Sequence, residues 1–354
     1  MRALPFLEIP IVQAPMSGAT TPRLVAAVSN AGGLGSLPGG YEAPGVIREQ
    51  IAAVRALTDR PFAVNLFVGD PPPVDEAVLR RAHERLRRYR DELGIPHPAE
   101  PPRGTVSFRP QVEAVLEARP AVFSFTFGIP DADVLEACRS AGIFTVGTAK
   151  SVGDALALEA AGVDAICTQG YEAGGHHGSI TAPLEDSLIG TIALVSQVVD
   201  AVRVPVLAAG GIGDGRAVAA VLALGAAAAQ PGSVFLRSDE AATAYKDLLA
   251  TDAVRRTTLT RVFSGRFARG VRNRFIDEMT DPGDVAPYPH QHWLTRDIRA
   301  AAAAQGKPEY LSLWTGQAVA LAKPLPAAEI VARLMAEART AADRSQRVLS
   351  TGAD

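Results

Sequence analysis

VDAICTQGYEAGGHHG, residues 163–178, joins a short apolar run to a glycine-rich loop that carries His176 and His177. The run from Val163 to Thr168 has the length and composition of a buried strand. Glycine permits positive φ angles or close approach to a ligand, and imidazole exchanges protons near neutral pH. The stretch therefore predicts a strand that feeds an active-site loop, with a glycine-rich turn and two solvated histidines as the open alternative.

Similar apolar runs lie on both sides of this stretch and alternate with helix-like segments. Eight runs have strand length, at 11–14, 34–37, 62–67, 122–125, 143–146, 163–168, 204–209 and 226–236. Eight β/α units over about 250 residues match the size of a (β/α)8 TIM barrel. The predicted fold class is therefore α/β, a TIM barrel, with an open doubly wound sheet as the competing architecture. The GxGxxG fingerprint expected after the first strand of such a sheet is absent.

Two parts of the chain depart from this alternation. Residues 69–110 contain proline-rich pieces and a charged helix through ERLRRYRDEL. We interpret them as an excursion whose charges are mostly solvated, and a substrate-covering role is the less favoured alternative. Beyond Asp239 the strand signals fade, and helices are predicted at 239–250, 293–304 and 326–345. The predicted organisation is a barrel over 1–238 and a mainly helical segment over 239–354 that covers its open end.

Composition narrows the possible partners. The 354-residue chain is 47% hydrophobic and has a formal net charge of −3 from interspersed charges. No basic stretch suggests nucleic acid or an anionic membrane as a partner. The two cysteines, Cys138 and Cys167, lack metal-ligand spacing, and the N-terminus lacks the apolar core of a secretory signal. These features predict a cytoplasmic protein with no metal, nucleic-acid partner or membrane span.

Glycines follow two consecutive predicted strands. PVLAAGGIGDG, residues 205–215, places Gly210 and Gly211 before a helix, and AQPGSVF, residues 229–235, contains Gly232 and Ser233. Phosphate groups often bind behind strands seven and eight of a barrel, held by backbone N–H groups. The pair of segments predicts one phosphate site, although each segment alone fits a tight turn.

Polar or sulfur-containing side chains mark three other strand ends. Met16 follows the first strand, Asn65 lies near the end of the third, and Gln169 ends the sixth. Such groups suit a flat heteroaromatic ring with hydrogen-bonding edges, but a buried amide that satisfies the backbone is equally possible. Farther along, SGRFARGVRNRF, residues 264–275, is either an anion-contacting lid or a surface loop with salt bridges.

Six motifs, in chain order, resemble the nitronate monooxygenases, once called 2-nitropropane dioxygenases, and within them the bacterial class I group. They are QAPMSGATTPRLVAAVSNAGGLG (13–35), FAVNLF (62–67), QGYEAGGHHG (169–178), PVLAAGGIGDGR (205–216), AQPGS (229–233) and SGRFARGVRNRF (264–275). FMN-dependent enoyl-acyl-carrier-protein reductases share the EAGGH loop and the AAGGI strand. The 264–275 motif and PYPHQHWLT…YLSLWTGQ resemble the monooxygenases.

The resemblance implies one non-covalently bound FMN and no metal. Matched position by position, the implied flavin contacts are Met16, Asn65, Gln169, Gly174, Gly211, Gln230, Pro231, Gly232 and Ser233. Two positions depart from the family pattern. The family usually has Met-Gly-Thr where this chain has Pro231, Gly232 and Ser233, and proline lacks a backbone N–H. The family also has arginine more often than histidine at position 177.

The activity that the resemblance implies is oxidation of alkyl nitronates or nitroalkanes, such as propionate 3-nitronate, by FMN and O2 to a carbonyl compound and nitrite. His176 matches the family's catalytic base, His177 is expected to face solvent, and His290 and His292 are weaker candidates. Two alternatives stay open, namely NAD(P)H-dependent enoyl reduction on the same scaffold and a flavin- or phosphate-binding protein without turnover.

Overall fold

The apolar runs of the sequence form a curled parallel sheet in a computed structural model that describes residues 4–104 and 106–350. Ten strands lie within these residues: β1 (Gly35–Pro38), β2 (Phe62–Phe67), β3 (Val122–Thr126), β4 (Phe144–Ala149), β5 (Ala165–Gln169), β6 (Gly175–His176), β7 (Val206–Ala209), β8 (Ala228–Ala229), β9 (Thr257–Thr260) and β10 (Ala268–Val271). Seven of them make the parallel sheet, in the order β1-β2-β3-β4-β5-β7-β8. The α/β class is confirmed.

The predicted first and eighth strands are shorter in the structure than expected. Residues 11–14 form only two parallel bridges, from Ile11 to Ala229 and from Val12 to Leu34. These bridges place the segment between β8 and β1, the two edges of the sheet. The eighth predicted strand, 226–236, reduces to β8, because Pro231 has no N–H for a ladder and a 3₁₀ helix follows at Ser233–Phe235.

Helices connect most of the strands and cover the sheet. Their bounds are α1 (Pro22–Asn30), α2 (Pro44–Arg55), α3 (Glu76–Arg85), α4 (Arg87–Leu93), α5 (Phe108–Ala118), α6 (Ala132–Ser140), α7 (Val152–Ala161), α8 (Thr191–Ala201), α9 (Gly215–Ala223), α10 (Arg274–Glu278), α11 (His290–Leu294), α12 (Arg296–Ala304) and α13 (Ala327–Ser350). Thr21 and Ser151 cap α1 and α7 with hydrogen bonds to Leu24 N and Asp154 N. Buried side chains of the sheet and the helices, such as Phe123 and Ile51, form the first core.

The excursion at 69–110 packs against the C-terminal segment. Its helices α3 and α4 bury Leu79, Leu86 and Leu93 in a second core shared with residues such as Phe263 and Phe275. The expectation of mostly solvated charges holds for several arginines of these helices but is wrong for Arg90. Arg90 is fully buried, and its Nε donates to Asp297 Oδ2 at 2.7 Å. The excursion therefore packs on the C-terminal segment through one apolar face of α3 and one of α4.

The C-terminal segment differs in part from the helical prediction. Helices are present at α12 and α13, near the predicted 293–304 and 326–345, and α13 packs on α9. The helix expected at 239–250 is wrong, since this stretch holds turns and a 3₁₀ helix at Leu248–Ala250. Two unpredicted strands, β9 and β10, form a three-stranded antiparallel sheet with β6. Division into 1–238 and 239–354 stays a prediction.

The structure adds two observations on membrane and metal. No helix in the described ranges is long and apolar enough to cross a membrane. Among the same residues, no group of three or more His, Cys, Asp or Glu side chains is arranged to hold a metal ion. Cys138 and Cys167 are both free and buried.

Candidate active site

A cavity of about 510 Å³ lies at the carboxyl ends of the parallel strands. Its wall includes Phe67, Thr126 and Ala209, the last residues of β2, β3 and β7. Every residue that the resemblance implies as the catalytic base or as a flavin contact lines this one cavity, whereas the weaker candidate His290 does not. They are Met16, Asn65, Gln169, Gly174, His176, Gly211, Gln230, Pro231, Gly232 and Ser233. These residues thus lie around one cavity, and their roles as catalytic and flavin contacts stay predictions.

His176 lies at the end of β6, where it pairs with Ala268 of β10. Its Nε2 is 2.8 Å from Ser264 Oγ and 3.5 Å from Tyr41 Oη. The Ser264 hydroxyl donates its single proton to the Arg266 carbonyl at 3.1 Å, so we assign the imidazole proton to Nε2, which donates to Ser264 Oγ. Nδ1, which hydrogen-bonds to no described residue, is then the basic nitrogen.

Burial decides the protonation of His176. Burial, which has the larger effect, and the nearby cations Arg266 and Arg299 together lower the pKa of His176 to about 3. Within the described ranges, no carboxylate that could raise the pKa contacts this imidazole. Glu172, the nearest candidate in sequence, instead accepts hydrogen bonds from the Thr191 N–H at 3.0 Å and the Thr191 hydroxyl at 2.8 Å. The imidazole is therefore neutral at physiological pH.

Aromatic rings surround His176. The ring centroids of Trp314, Phe127 and Tyr288 lie 5.7, 5.9 and 6.0 Å from that of His176. Phe127 has a φ of +82°, a backbone conformation that is strained for an aromatic residue. Tyr41, which also borders the cavity, stacks on His292 with centroids 3.8 Å apart. These rings give His176 mainly apolar surroundings.

His177 faces the protein interior, so the expectation that it faces solvent is wrong. It is fully buried, its Nε2 donates to Ala173 O at 2.8 Å, and its Nδ1 accepts from Lys150 Nζ at 3.0 Å. Lys150 Nζ also donates to Gln169 O at 2.7 Å. Burial lowers the pKa of His177 to about 3 and that of Lys150 to about 8. Lys150 therefore ties both ends of the histidine loop together from behind the cavity wall.

The first glycine segment offers free backbone donors. Gly210 and Gly211 have φ values of +101° and +71°, which turn the chain sharply after β7. The Gly211 N–H has no acceptor among the described residues. The start of α9 is less available than the sequence suggested, because Asp214 accepts from Arg216 N and Glu337 accepts from Gly215 N. An anion at this turn would therefore bind the backbone N–H groups of the glycines and not the N-terminus of α9.

The second segment, Gln230 to Ser233, lines the same cavity. Gln230 N donates to Ala208 O at 2.7 Å, and Pro231 O accepts from Ala14 N at 3.0 Å. The N–H groups of Gly232 and Ser233 donate to no acceptor in the described part of the chain. With Gly211 they make three unoccupied backbone donors beside a cavity, which fits a phosphate. Pro231 supplies no donor but anchors this segment to Ala14.

Polar atoms without partners mark another part of the wall. Gln169 donates from Nε2 to His176 O at 3.0 Å, but its Oε1 is buried and has no partner within the described residues. The same holds for Thr315 Oγ1. Buried polar atoms are normally hydrogen-bonded, so these two atoms fit a bound ring with polar edges. Asn65 is less free, because its Nδ2 donates to Ser124 Oγ at 3.0 Å.

Gly174 has a structural reason to be glycine. A Cβ at this position would lie 2.4 Å from the carbonyl carbon of Thr315 and 2.5 Å from Gly316 N. The close packing of the 315–316 backbone therefore requires glycine at 174, whatever the cavity binds.

The arginines of 264–275 divide into two groups. Arg272 and Arg274 form salt bridges with Asp277 and with Glu92 and Glu278 at the surface. Arg266 instead stacks on the Phe127 ring, with Cζ 3.8 Å from the centroid, and Arg269 is buried and donates to Tyr171 O at 3.1 Å. The interpretation as a salt-bridged surface therefore holds for Arg272 and Arg274, whereas contact of this motif with an anion stays a prediction.

Sequence reasoning missed several residues of the cavity wall. Tyr41, Trp293, Arg296 and Arg299 line it, although they lie in a loop, at the end of α11 and in α12. Trp314 was noted only as part of a family-like motif. No local pattern distinguishes these positions from ordinary surface residues, because their place in the site depends on how the C-terminal segment docks.

Comparisons with known proteins point to one family. The family model described as nitronate monooxygenase matches residues 1–337. A probable nitronate monooxygenase of Staphylococcus aureus (strain JH9) is 41% identical over 333 residues, which cover 93% of this chain and 94% of that protein. The structure of nitroalkane oxidase from Streptomyces ansochromogenes is 41% identical with a TM-score of 0.88, covering 95% of this chain and 98% of that one. FabK from Thermotoga maritima is 28% identical with a TM-score of 0.75, covering 97% and 96%.

Proposed function

This chain belongs to the nitronate monooxygenase family, a family of flavin oxidoreductases, and on that premise we propose that it uses FMN and O2 to convert alkyl nitronates to carbonyl compounds and nitrite. Nitronate oxidation is the activity that the family and the nitroalkane oxidase likeness support. The observation that carries the proposal is the grouping of a neutral, half-buried histidine with free backbone donors in one cavity.

His176 is the proposed general base for substrates that arrive with an α-proton. Nδ1 accepts that proton from a neutral nitroalkane, and the Nε2–H retains its bond to Ser264 Oγ, which keeps the ring oriented. The resulting imidazolium is stabilised little by its surroundings, because Arg266 and Arg299 are cations. A nitronate has already lost its α-proton, so it needs no base. This environment therefore favours nitronates over neutral nitroalkanes.

FMN is the proposed cofactor, with its phosphate on the N–H groups of Gly211, Gly232 and Ser233. Gln169 Oε1 and Thr315 Oγ1 would meet polar edges of the ring system, while Met16, Asn65, Gly174, Gln230 and Pro231 complete the wall. Bound FMN supplies the electron transfer between nitronate and O2. The protein's own contribution is to bind and orient the substrate and to exclude water.

We also propose that the sheet closes into a (β/α)8 barrel, with residues 11–12 as the eighth strand. The bridges from Ile11 to Ala229 and from Val12 to Leu34 support closure. The C-terminal segment would then cover the open end, since it contributes Ser264, Arg299 and Trp314 to the cavity wall. A cytoplasmic location also stays a prediction.

The test of this function starts with the flavin of the purified protein. Because the two glycine segments provide donors for one phosphate, flavin released by heat should run as FMN, and not FAD, on chromatography. Addition of propionate 3-nitronate should then consume O2 and form nitrite. Finding FAD would contradict our assignment of the glycine segments. An FMN-loaded protein without O2 consumption would favour binding without turnover.

The enoyl-reductase alternative is not favoured. Both the family model and the 41% identical relatives are nitronate monooxygenases. Rapid bleaching of the bound flavin by NADH or NADPH, together with reduction of an enoyl thioester, would reverse this preference.

A further inference from the structure

Arg299 is a cation in the cavity wall that forms no ion pair with any acid of the described residues. It lies on α12, is half-buried and lines the cavity. Its nearest acidic neighbour in sequence, Asp297, is bound by Arg90 through Nε and Nη2 at 2.7 and 3.2 Å. The carboxylates that line the cavity, Glu42 and Glu172, form no ion pair with any described residue. A half-buried arginine that lines a cavity and has no acid partner among the described residues is suited to bind an anionic ligand.

The guanidinium of Arg299 is held in place by neutral groups. Nε donates to Thr295 O and Oγ1, both at 3.3 Å, and Nη2 donates to His292 O at 3.0 Å and Nδ1 at 3.3 Å. Thr295 is itself fixed, because its hydroxyl donates to Phe263 O at 2.6 Å. Nη1 has no partner among the described residues. The side chain is therefore oriented without loss of its charge, and one N–H edge is left for another molecule.

The field of Arg299 reaches His176. Together with Arg266, it lowers the pKa of this histidine beyond the effect of burial. Arg266 is likewise held by an aromatic ring and not by an acid. Two cations thus flank the imidazole, and an anion placed beside His176 would be attracted by both.

We propose that Arg299 is the residue that recognises the negative charge of the substrate, through its free N–H edge, and so sets the preference for nitronate anions over neutral nitroalkanes. This inference rests on the proposed function, since it assigns a residue to substrate selection in the same site. Arginine suits this task because its planar fork matches a group with two coplanar oxygens.

The test compares R299M with R299K and with R261M as a matched control. Arg261 is also an arginine that bonds a main-chain carbonyl, Gly265 O at 3.1 Å, but it is exposed and does not line the cavity. The first readout is calorimetric binding of nitrate, a planar anion with the charge and oxygen geometry of a nitronate head group. The second is KM and kcat for propionate 3-nitronate and for a neutral nitroalkane.

R299M should bind nitrate about tenfold or more weakly and raise KM for the nitronate similarly, with a smaller change in kcat. KM for the neutral nitroalkane should change less than about threefold, and R261M should match the wild type. R299K keeps the charge but loses the fork, so it should fall between the two. Nitrate binding by R299M equal to wild type, or an equal loss in R261M, would overturn the assignment.

Two safeguards keep the outcomes distinct. If R299M does not fold, R299K decides alone: nitrate binding at least about threefold weaker supports the proposal, and unchanged binding contradicts it. If the wild type oxidises no nitronate, the proposed function fails, but nitrate binding still tests Arg299 separately.

Discussion

His176 and His177 are adjacent in sequence and have opposite surroundings. Neighbouring side chains of an extended segment point to opposite faces, so one histidine faces the cavity and the other faces the interior. Sequence reasoning identified the cavity-facing residue but placed His177 in solvent, because nothing local indicates that Lys150 lies behind the loop. The sequence therefore indicated which of the two histidines faces the cavity, but it did not reveal the surroundings that set the pKa of each one.

Replacing His176 with asparagine should separate two roles of this residue. If Nδ1 is the base, H176N slows oxidation of a neutral nitroalkane by about 10²-fold or more and leaves much of the activity on the nitronate. O2 consumption with each substrate measures this difference. Equal losses on both substrates at unchanged flavin content would mean that His176 positions the substrate, and the proton-abstraction role would be dropped.

The pH dependence of the wild type follows from the pKa of His176. Sequence alone suggests a limb near the ordinary histidine pKa of about 6.5, with burial and Glu172 acting in opposite directions. In the structure Glu172 is bound to Thr191, and burial lowers the pKa to about 3. Since the neutral base is then present at every pH above about 5, kcat/KM for a neutral nitroalkane should be flat from about pH 5 to 8 as far as His176 is concerned. A limb between pH 6 and 7 that disappears in H176N would contradict this.

At the scale of elements, strands flanked by strong turn signals were predictable and weakly patterned ones were not. β2 matches its prediction at both ends, because Phe62–Phe67 is a continuous apolar run with one buried asparagine. β10, with the sequence ARGV, has no such pattern and is defined by its pairing with β6 and β9. Pairing between distant segments leaves little trace in local sequence, which is why the three-stranded sheet was missed.

The turn after β7 gives a prediction at this scale. In G211V a new Cβ would have only ordinary contacts, with Glu172 at 3.6 Å, but φ at +71° strains any side chain by about 1–3 kcal/mol. The N–H donor should then be displaced and the purified protein should be largely free of FMN, as judged by its visible spectrum. G142V is the matched control, because Gly142 has the same φ and open space around it, away from the cavity.

Both variants should lose similar stability in denaturant unfolding of the flavin-free proteins. Only G211V should lose FMN. Full flavin occupancy in G211V would remove Gly211 from the proposed phosphate site, and equal flavin loss in G142V would attribute the effect to general destabilisation.

In the whole molecule, the C-terminal half of the site depends on the excursion at 69–110. Leu86 and Tyr89 of this excursion share a core with Phe263 and Phe275, and Phe263 also lines the cavity. The sequence indicated an amphipathic, charged helix but not its partner, because that partner lies almost 200 residues farther along the chain. The α/β fold class and a set of residues that line one cavity could thus be predicted from the sequence. The packing of the 69–110 excursion on the C-terminal segment could not.

Shortening a side chain in this shared core should destabilise the 69–110 excursion and the C-terminal segment together. Leu86 is fully buried, so L86A should lower the free energy of unfolding by about 2–5 kcal/mol. L57A is the control, since Leu57 is 48% exposed and should cost far less. Hydrogen exchange of L86A should accelerate in α3, α4 and the 263–313 region more than in the parallel sheet. Faster exchange confined to α3 and α4 would show that the two parts are not coupled.

The pairing of β6 with β10 has a consequence for the order in which the ribosome makes the site. His176 receives its partner Ser264 from 88 residues farther along the chain. During synthesis, the glycine segments at 210–211 and 232–233 therefore emerge before the residues that orient His176 and before Arg299. A growing chain therefore has the proposed phosphate donors before it has the residue that orients His176. The proposed abstraction of an α-proton, unlike flavin binding, then has to wait until the segment with Ser264 has been translated and has docked.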